Sequence, residues 1–324
     1  MSKVRQLFQS FLISAALCVL TAASSGMANA AEVVKLRVSI IPIIDVAPLF
    51  AAITQGYFKA EDLEIDTAPV AGGAQGIPGL VAGAYQIAFS NVVSTLLARQ
   101  QGLDLRIVAP GSATQAEPPD GAGLVARRGE GIRSGKDLEG KSLAVNTRNN
   151  IIWLYAREWI VRTGGDPSKI NFREVPFPQM LDTLRGKQVD AAFVVQPMLL
   201  GAMESQVFEM VAWPYNAVQP KADVAQYLAT AEFIKNNPDV VRRFARALKK
   251  GAEWYNANIA ADETLALVSS YTRIPPETLK KFGFATAPQT VSTDAIRKTM
   301  ELMGKHGLLS GPLELDGLLH ETAR

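Results

Sequence analysis

The chain has 324 residues, with 33 Lys plus Arg against 31 Asp plus Glu. That near balance removes the electrostatic case for binding nucleic acid or an anionic membrane surface. The length exceeds what one hydrophobic core commonly holds, so two domains are expected.

The first thirty residues read as a cleavable secretory leader. Lys3 and Arg5 begin it, an apolar run follows from Phe11 to Leu20, and Ala28-Asn29-Ala30 supplies a small-residue cleavage site. The run is shorter than the roughly 20 residues that span a bilayer. Cleavage before Ala31 would leave 294 residues, 31 basic and 31 acidic, without Cys18, the one cysteine. Neither disulfide nor thiolate chemistry would then remain.

Alternation over Leu36–Ile41 predicts a first strand, and Pro42 to Asp45 is its exit loop. Asp45 can cap a helix with Pro48 in its first turn and Gly56 at its end. Leu63 to Val70 is a second strand, and the paired-glycine turn Ala71–Gln75 opens a helix through Ala82. Glycines there allow close backbone approach to a ligand, or simply a tight turn. Gln86–Phe89 is a third strand, Ser90-Asn91 starts the helix Val92–Gln100, and Leu105–Ala109 is a fourth strand. This β-α rhythm predicts a mostly parallel sheet covered by helices.

The polar, Pro-rich run Ala113–Gly121 reads as a crossing to a second block with the same rhythm. Its strands are expected at Gly123–Ala126, Leu143–Val145, Ile170–Val175, Val189–Val195 and Val207–Trp213. Between Val145 and Ile151 lies Asn146-Thr147-Arg148-Asn149-Asn150, a polar turn between a strand and a helix start. Such turns sit at the carboxyl edge of an open sheet, where ligands bind. The helix start and the Arg148 guanidinium suit an anion, although Asn149 or Asn150 could simply cap the helix with Arg148 in water. Trp153, Tyr155 and Trp159 read as core. Trp213-Pro214-Tyr215 to Pro220 is irregular and aromatic, a return crossing where Trp213 and Tyr215 could stack on a ligand ring.

Val224–Ala229 alternates like a strand. Helices are expected thereafter at Pro238–Asn258, Asp262–Tyr271, Pro276–Phe282 and Thr293–His306. The basic run Arg242, Arg243, Arg246, Lys249 and Lys250 reads as the solvated face of the first of these.

The segments "PLFAAITQGYFKAEDLEID", "GGAQGIPGLVAGAYQIAFSN", "GIRSGKDLEGKSLAVN", "PFPQMLDTLRGKQVDAAFVVQPML" and "NPDVVRRFARALKKGAEWYNAN" together carry a resemblance. The chain resembles the periplasmic substrate-binding proteins of ABC importers, in the group serving sulfonates, taurine, nitrate and thiamine-precursor pyrimidines. The resemblance implies an α/β, two-lobed (type II) periplasmic binding protein fold with ligand in the interlobe cleft. Residues 33–115 and 224–324 would form one lobe, 121–213 the other, and 116–120 and 214–223 the crossings. It implies hinge closure and delivery to an inner-membrane permease. Carried over by position, the cleft would draw on Ile44, Asp45, Gly73, Gln75, Ser90 and Asn91 from the first lobe. The second lobe would add Asn146, Thr147, Arg148, Asn149 and Gln196. Relatives often carry Asp where this chain has Gln86, and Glu-Pro where it has Gln196-Pro197.

The expected function is therefore a monomeric periplasmic binding protein for a small organic anion, with no enzymatic activity, metal or cofactor. A neutral or aromatic heterocycle is the alternative ligand class. An enzyme on the same fold is a further alternative. Against it, the chain has no Ser-His-Asp set, zinc-spacing motif or phosphate loop, and both histidines, His306 and His320, fall in the C-terminal region.

Overall fold

The computed structural model describes residues 33–281 and 284–324. The expected leader, Cys18 and the Phe282 end of the third C-terminal helix lie outside them. The first block runs β1 (Val34–Ile40), α1 (Ala47–Thr54), β2 (Leu63–Pro69), α2 (Gly73–Val81), β3 (Ile87–Asn91), α3 (Val92–Gln100) and β4 (Leu105–Ala113). The second runs β5 (Ala122–Arg127), β6 (Ser142–Val145), α4 (Ile151–Arg162), β7 (Asn171–Glu174), α5 (Met180–Arg185), β8 (Ala191–Val195), α6 (Met198–Glu204), β9 (Phe208–Ala212) and α7 (Pro214–Val218). Then come β10 (Asp223–Thr230), α8 (Ala231–Asn236), α9 (Pro238–Ala257), α10 (Asp262–Thr272), α11 (Pro276–Leu279) and α12 (Thr293–Lys305).

Two five-stranded sheets result, ordered β2-β1-β3-β10-β4 and β7-β6-β8-β5-β9. Each is mixed, and the mixing follows from the crossings. β10 returns from the second lobe and inserts antiparallel between β3 and β4. β5 enters the second lobe and lies antiparallel between β8 and β9. The remaining ladders, β1 with β2 and β3 and β6 with β7 and β8, are parallel. Parallel strands put their carboxyl ends, and the loops after them, on one edge.

Residues 214–218 are helical rather than irregular: Pro214 occupies the first turn, where its fixed φ suits a helix and its missing N–H is not needed. Helix α9 buries Val240, Val241, Phe244, Ala247, Leu248, Gly251 and Tyr255 along one stripe. Its Phe244 ring packs 5.4 Å from Phe58 and 5.9 Å from Tyr227; a fully buried side chain of this kind contributes about 1.5–3 kcal/mol. A Cβ at Gly251 would lie 2.4 Å from the Pro48 carbonyl oxygen, so glycine is what lets α9 approach α1.

Helix α12 packs on both α3 and α4 and so touches both lobes. There Glu158 of α4, 2 % exposed, accepts hydrogen bonds from Arg162 (2.8 Å) and Lys305 (2.9 Å) and pairs with His306 Nε2 (2.9 Å). Burial opposes its charge, yet Lys305, Arg162 and His306 hold its pKa down to about 2. Tyr155 Oη lies 3.0 Å from both Gln219 Oε1 and Thr299 Oγ1, joining α4 to α12 a second time.

Candidate ligand-binding cleft

The strand-end loops of both sheets meet around a cavity of about 860 Å³, open mouth included. Ile44 and Asp45 reach it from the turn after β1, and Ser90 and Asn91 from the end of β3. Asn146 and Asn150 come from the turn after β6, and Gln196 from the turn after β8. Phe89, Phe177, Tyr215 and Tyr255 add aromatic wall.

Two asparagines hold both helix starts at this cleft. Asn91 caps α3, its Oδ1 accepting from Ser94 N–H at 3.0 Å. The same oxygen accepts from Ile151 N–H of the opposite lobe at 3.3 Å. Asn150 caps α4 through Trp153 N–H at 3.0 Å and donates to Asn146 Oδ1 at 2.7 Å. Amide oxygens therefore already occupy N–H groups that a bound anion would use. Further contacts tie the lobes together. Ile44 N–H donates to the Gln196 carbonyl at 3.5 Å, and Lys281 Nζ lies 2.6 Å from Glu204 Oε1.

The charge in the cavity is negative. Asp45 and Asp120 are its ionisable acids, and no Lys, Arg or His stands among the described residues lining it. Asp120 is 5 % exposed. Its Oδ1 accepts from Gly121 N–H at 2.7 Å and Gln115 N–H at 3.4 Å, while its buried Oδ2 has no partner among the described residues. Burial pushes its pKa up to about 6, the two backbone bonds oppose this, and the Asp45 charge adds to it. Burial likewise raises the Asp45 carboxyl, and the nearby Ser112 hydroxyl offsets only part of the rise. Burial and the two carboxylates also raise the Tyr215 phenol. A buried carboxylate oxygen without a partner is costly, and a donor on a ligand would relieve that cost.

The residues singled out from sequence divide accordingly. Ile44, Asp45, Ser90, Asn91, Asn146, Gln196 and Tyr215 line the cavity. Gly73, Gln75, Thr147, Arg148, Asn149 and Trp213 do not. A Cβ on Gly73 would lie 2.5 Å from Ser90 Oγ, so that glycine serves the contact between α2 and β3. Gln75 is exposed and accepts from Ala71 N–H at 3.2 Å. Thr147 is buried beside Gly72 of the other lobe. Arg148 is exposed: its guanidinium donates to the Phe172 carbonyl, and its backbone N–H donates to Glu174 Oε1 at 2.6 Å. Asn149 takes the left-handed turn position at φ 55°. Trp213 packs against the core. Asp120, Asn150, Phe177 and Tyr255 line the cavity without having been chosen as site residues.

Comparison with known proteins fits this architecture. The NMT1/THI5 like family model matches residues 43–259. A protein of Brachyspira hyodysenteriae, provisionally named an ABC transporter periplasmic binding protein, is 23% identical over 279 residues, 82% of this chain and 79% of that one. The riboflavin-binding protein RibY of Chloroflexus aurantiacus is 26% identical over 239 residues, 67% of this chain and 61% of that one. Among solved structures, the alkanesulfonate-binding protein SsuA of Xanthomonas axonopodis bound to MOPS superposes with a TM-score of 0.76 at 16% identity, covering 90% of this chain and 99% of that one. With its two sheets, its interlobe cleft and a family match over most of its length, the chain belongs to the NMT1/THI5-like family and has the periplasmic binding protein fold.

Proposed function

We propose that the protein is the periplasmic solute-binding component of an ABC-type importer, and that its ligand is a small, largely apolar ring compound bearing N–H donors or a positive charge. An amino-substituted heterocycle has this chemistry. The observation that carries the ligand class is the cavity's charge: Asp45 and Asp120 line it, and among the described residues Asp120 Oδ2 is buried without a partner and no cation faces the cavity. An organic anion, the class favoured from sequence, would meet two carboxylates there, each disfavouring it. Four aromatic rings and four side-chain amides suit a flat ring with polar edges. The family resemblance and the relatives' names support transport rather than catalysis, and the expected leader before Ala31 supports export.

A thermal-shift screen of amino-pyrimidines, flavins, organic amines, alkanesulfonates, carboxylates and nitrate tests this, followed by calorimetry on the hits. Saturable binding of a nitrogen-bearing ring or an amine is expected. Tight binding of a sulfonate, carboxylate or nitrate would overturn the ligand class.

A further inference from the structure

A second cavity of about 810 Å³, open mouth included, lies behind the cleft in the first lobe, between β4, β10 and α9. Pro48, Gly111 and Ala287 line both cavities, so they form a common wall. Its wall is largely apolar, with two polar side chains, Tyr227 and Gln289, that the fold leaves unsatisfied among the described residues. Tyr227 is 1 % exposed, and its hydroxyl has no hydrogen-bond partner among the described residues. Gln289 lines the same cavity with both amide atoms buried and, among the described residues, unpartnered. Buried polar atoms of this kind are uncommon in folded proteins and call for an occupant.

Arg242, Arg246 and Lys249 stand around it, spaced i, i+4 and i+7 on α9. This is the basic run whose pattern alone suggests a solvated face. Arg246 is committed to Glu61, at 2.7 and 3.2 Å, and Arg242 lies 3.6 Å from Glu321. Lys249 is exposed and has no ion-pair partner among the described residues. The sign of this cavity is thus opposite to that of the cleft.

We propose that this cavity is a second ligand site, for a compact oxyanion such as phosphate or a small carboxylate. The Tyr227 hydroxyl and the Gln289 amide N–H would donate to its oxygens, with Lys249 closing the mouth. Bare solvent could satisfy the same atoms but would leave the Lys249 charge at the mouth unused, since Arg246 and Arg242 already face Glu61 and Glu321. The proposal does not rest on the reading of the cleft, since none of its three recognition groups faces that cavity.

The test uses the exported chain in buffer free of phosphate and carboxylates, titrated calorimetrically with inorganic phosphate and, separately, acetate. One saturable site for at least one probe is expected. Tyr227→Phe retains the ring packing on Phe89 and Phe244 and removes only the hydroxyl; it should weaken binding by about tenfold. Lys249→Gln, at an exposed helix position, should weaken it by about threefold or more and serves if the first variant folds poorly. Absence of saturable binding by either probe, or affinities unchanged in every folded variant, would mean that water fills the cavity and would overturn the proposal.

Discussion

Replacing Asp120 by Asn separates stability from ligand recognition. The amide keeps an oxygen for the Gly121 and Gln115 N–H groups and puts an NH2 where the unpartnered Oδ2 now lies. In the wild type the folded-state pKa of about 6 lies above the ordinary 3.8, so the folded protein binds this proton more tightly than the unfolded chain. The group's contribution is favourable below about pH 4 and is lost as pH rises through 6. The difference corresponds to at most about 3 kcal/mol at pH 7.5. Asp120→Asn should therefore raise the melting temperature of the ligand-free protein at pH 7.5 by several degrees, at about 2–4 °C per kcal/mol. The gain should shrink toward zero near pH 4. The same variant should bind the ligand about ten- to a hundredfold more weakly, because a charge-assisted bond of about 1.5–3 kcal/mol becomes a donor facing a donor. Melting curves from pH 4 to 8 and calorimetric titration measure both. A variant that is less stable at every pH, or that binds as tightly as the wild type, would refute the assignment of Asp120 as a ligand acceptor under strain.

Other substitutions probe the rest of the cleft. Arg148→Ala should change ligand affinity by less than about twofold, since the guanidinium serves the Phe172 carbonyl outside the cavity; a tenfold loss in calorimetry would reinstate the anion reading. Gly72 faces the other lobe in extended backbone that any residue adopts, and a Cβ there would sit 3.2 Å from Asn146 Nδ2 and 3.3 Å from Thr147 Cγ2. Gly72→Val should leave the melting temperature of the free protein nearly unchanged but cost about tenfold in affinity by obstructing closure; wild-type affinity would show that the approach of the lobes there is not needed. Glu158→Gln should destabilise the protein by about 1–3 kcal/mol at pH 7, a range discounted for the exposure of Lys305 and Arg162. The native pKa of about 2 lies below the ordinary 4.5. This contribution is therefore full above pH 4.5 and lost as pH falls toward 2. A deficit that failed to shrink in acid melts would count against the ion cluster.

Much of the scaffold can be read from the chain because its signals are local. Three apolar residues, a polar turn and a 3.6-residue pattern mark β6, its exit loop and α4, and Asn150 caps where its side chain can. The β-α rhythm identifies two blocks but cannot reveal that β10 and β5 run against their neighbours, because strand direction depends on where the chain recrosses. The cleft shows the same division. Asn91 ends β3, and Asn146 and Gln196 follow β6 and β8, positions where the sheet-edge rule looks for ligand contacts. Asp120 is hidden in a Pro-rich polar stretch that resembles a plain linker, and only the folded chain shows its carboxyl buried beside Asp45. Arg148 shows a related limit. A cation near a helix start suggests an anion, but with Asn149 at φ 55° the guanidinium lies against the β7 carbonyl instead. Which way a long side chain leaves a tight turn is a tertiary property.

The ligand's chemistry is tested most directly by native mass spectrometry of the protein purified without denaturation. The bound mass would be measured, released and identified. The expected species is a ring compound carrying amino or protonated nitrogen, released more readily below about pH 6, where Asp120 takes up its proton. A bound sulfonate, carboxylate or nitrate, retained equally at pH 5 and pH 8, would contradict the reading of the cleft as an acidic, aromatic site.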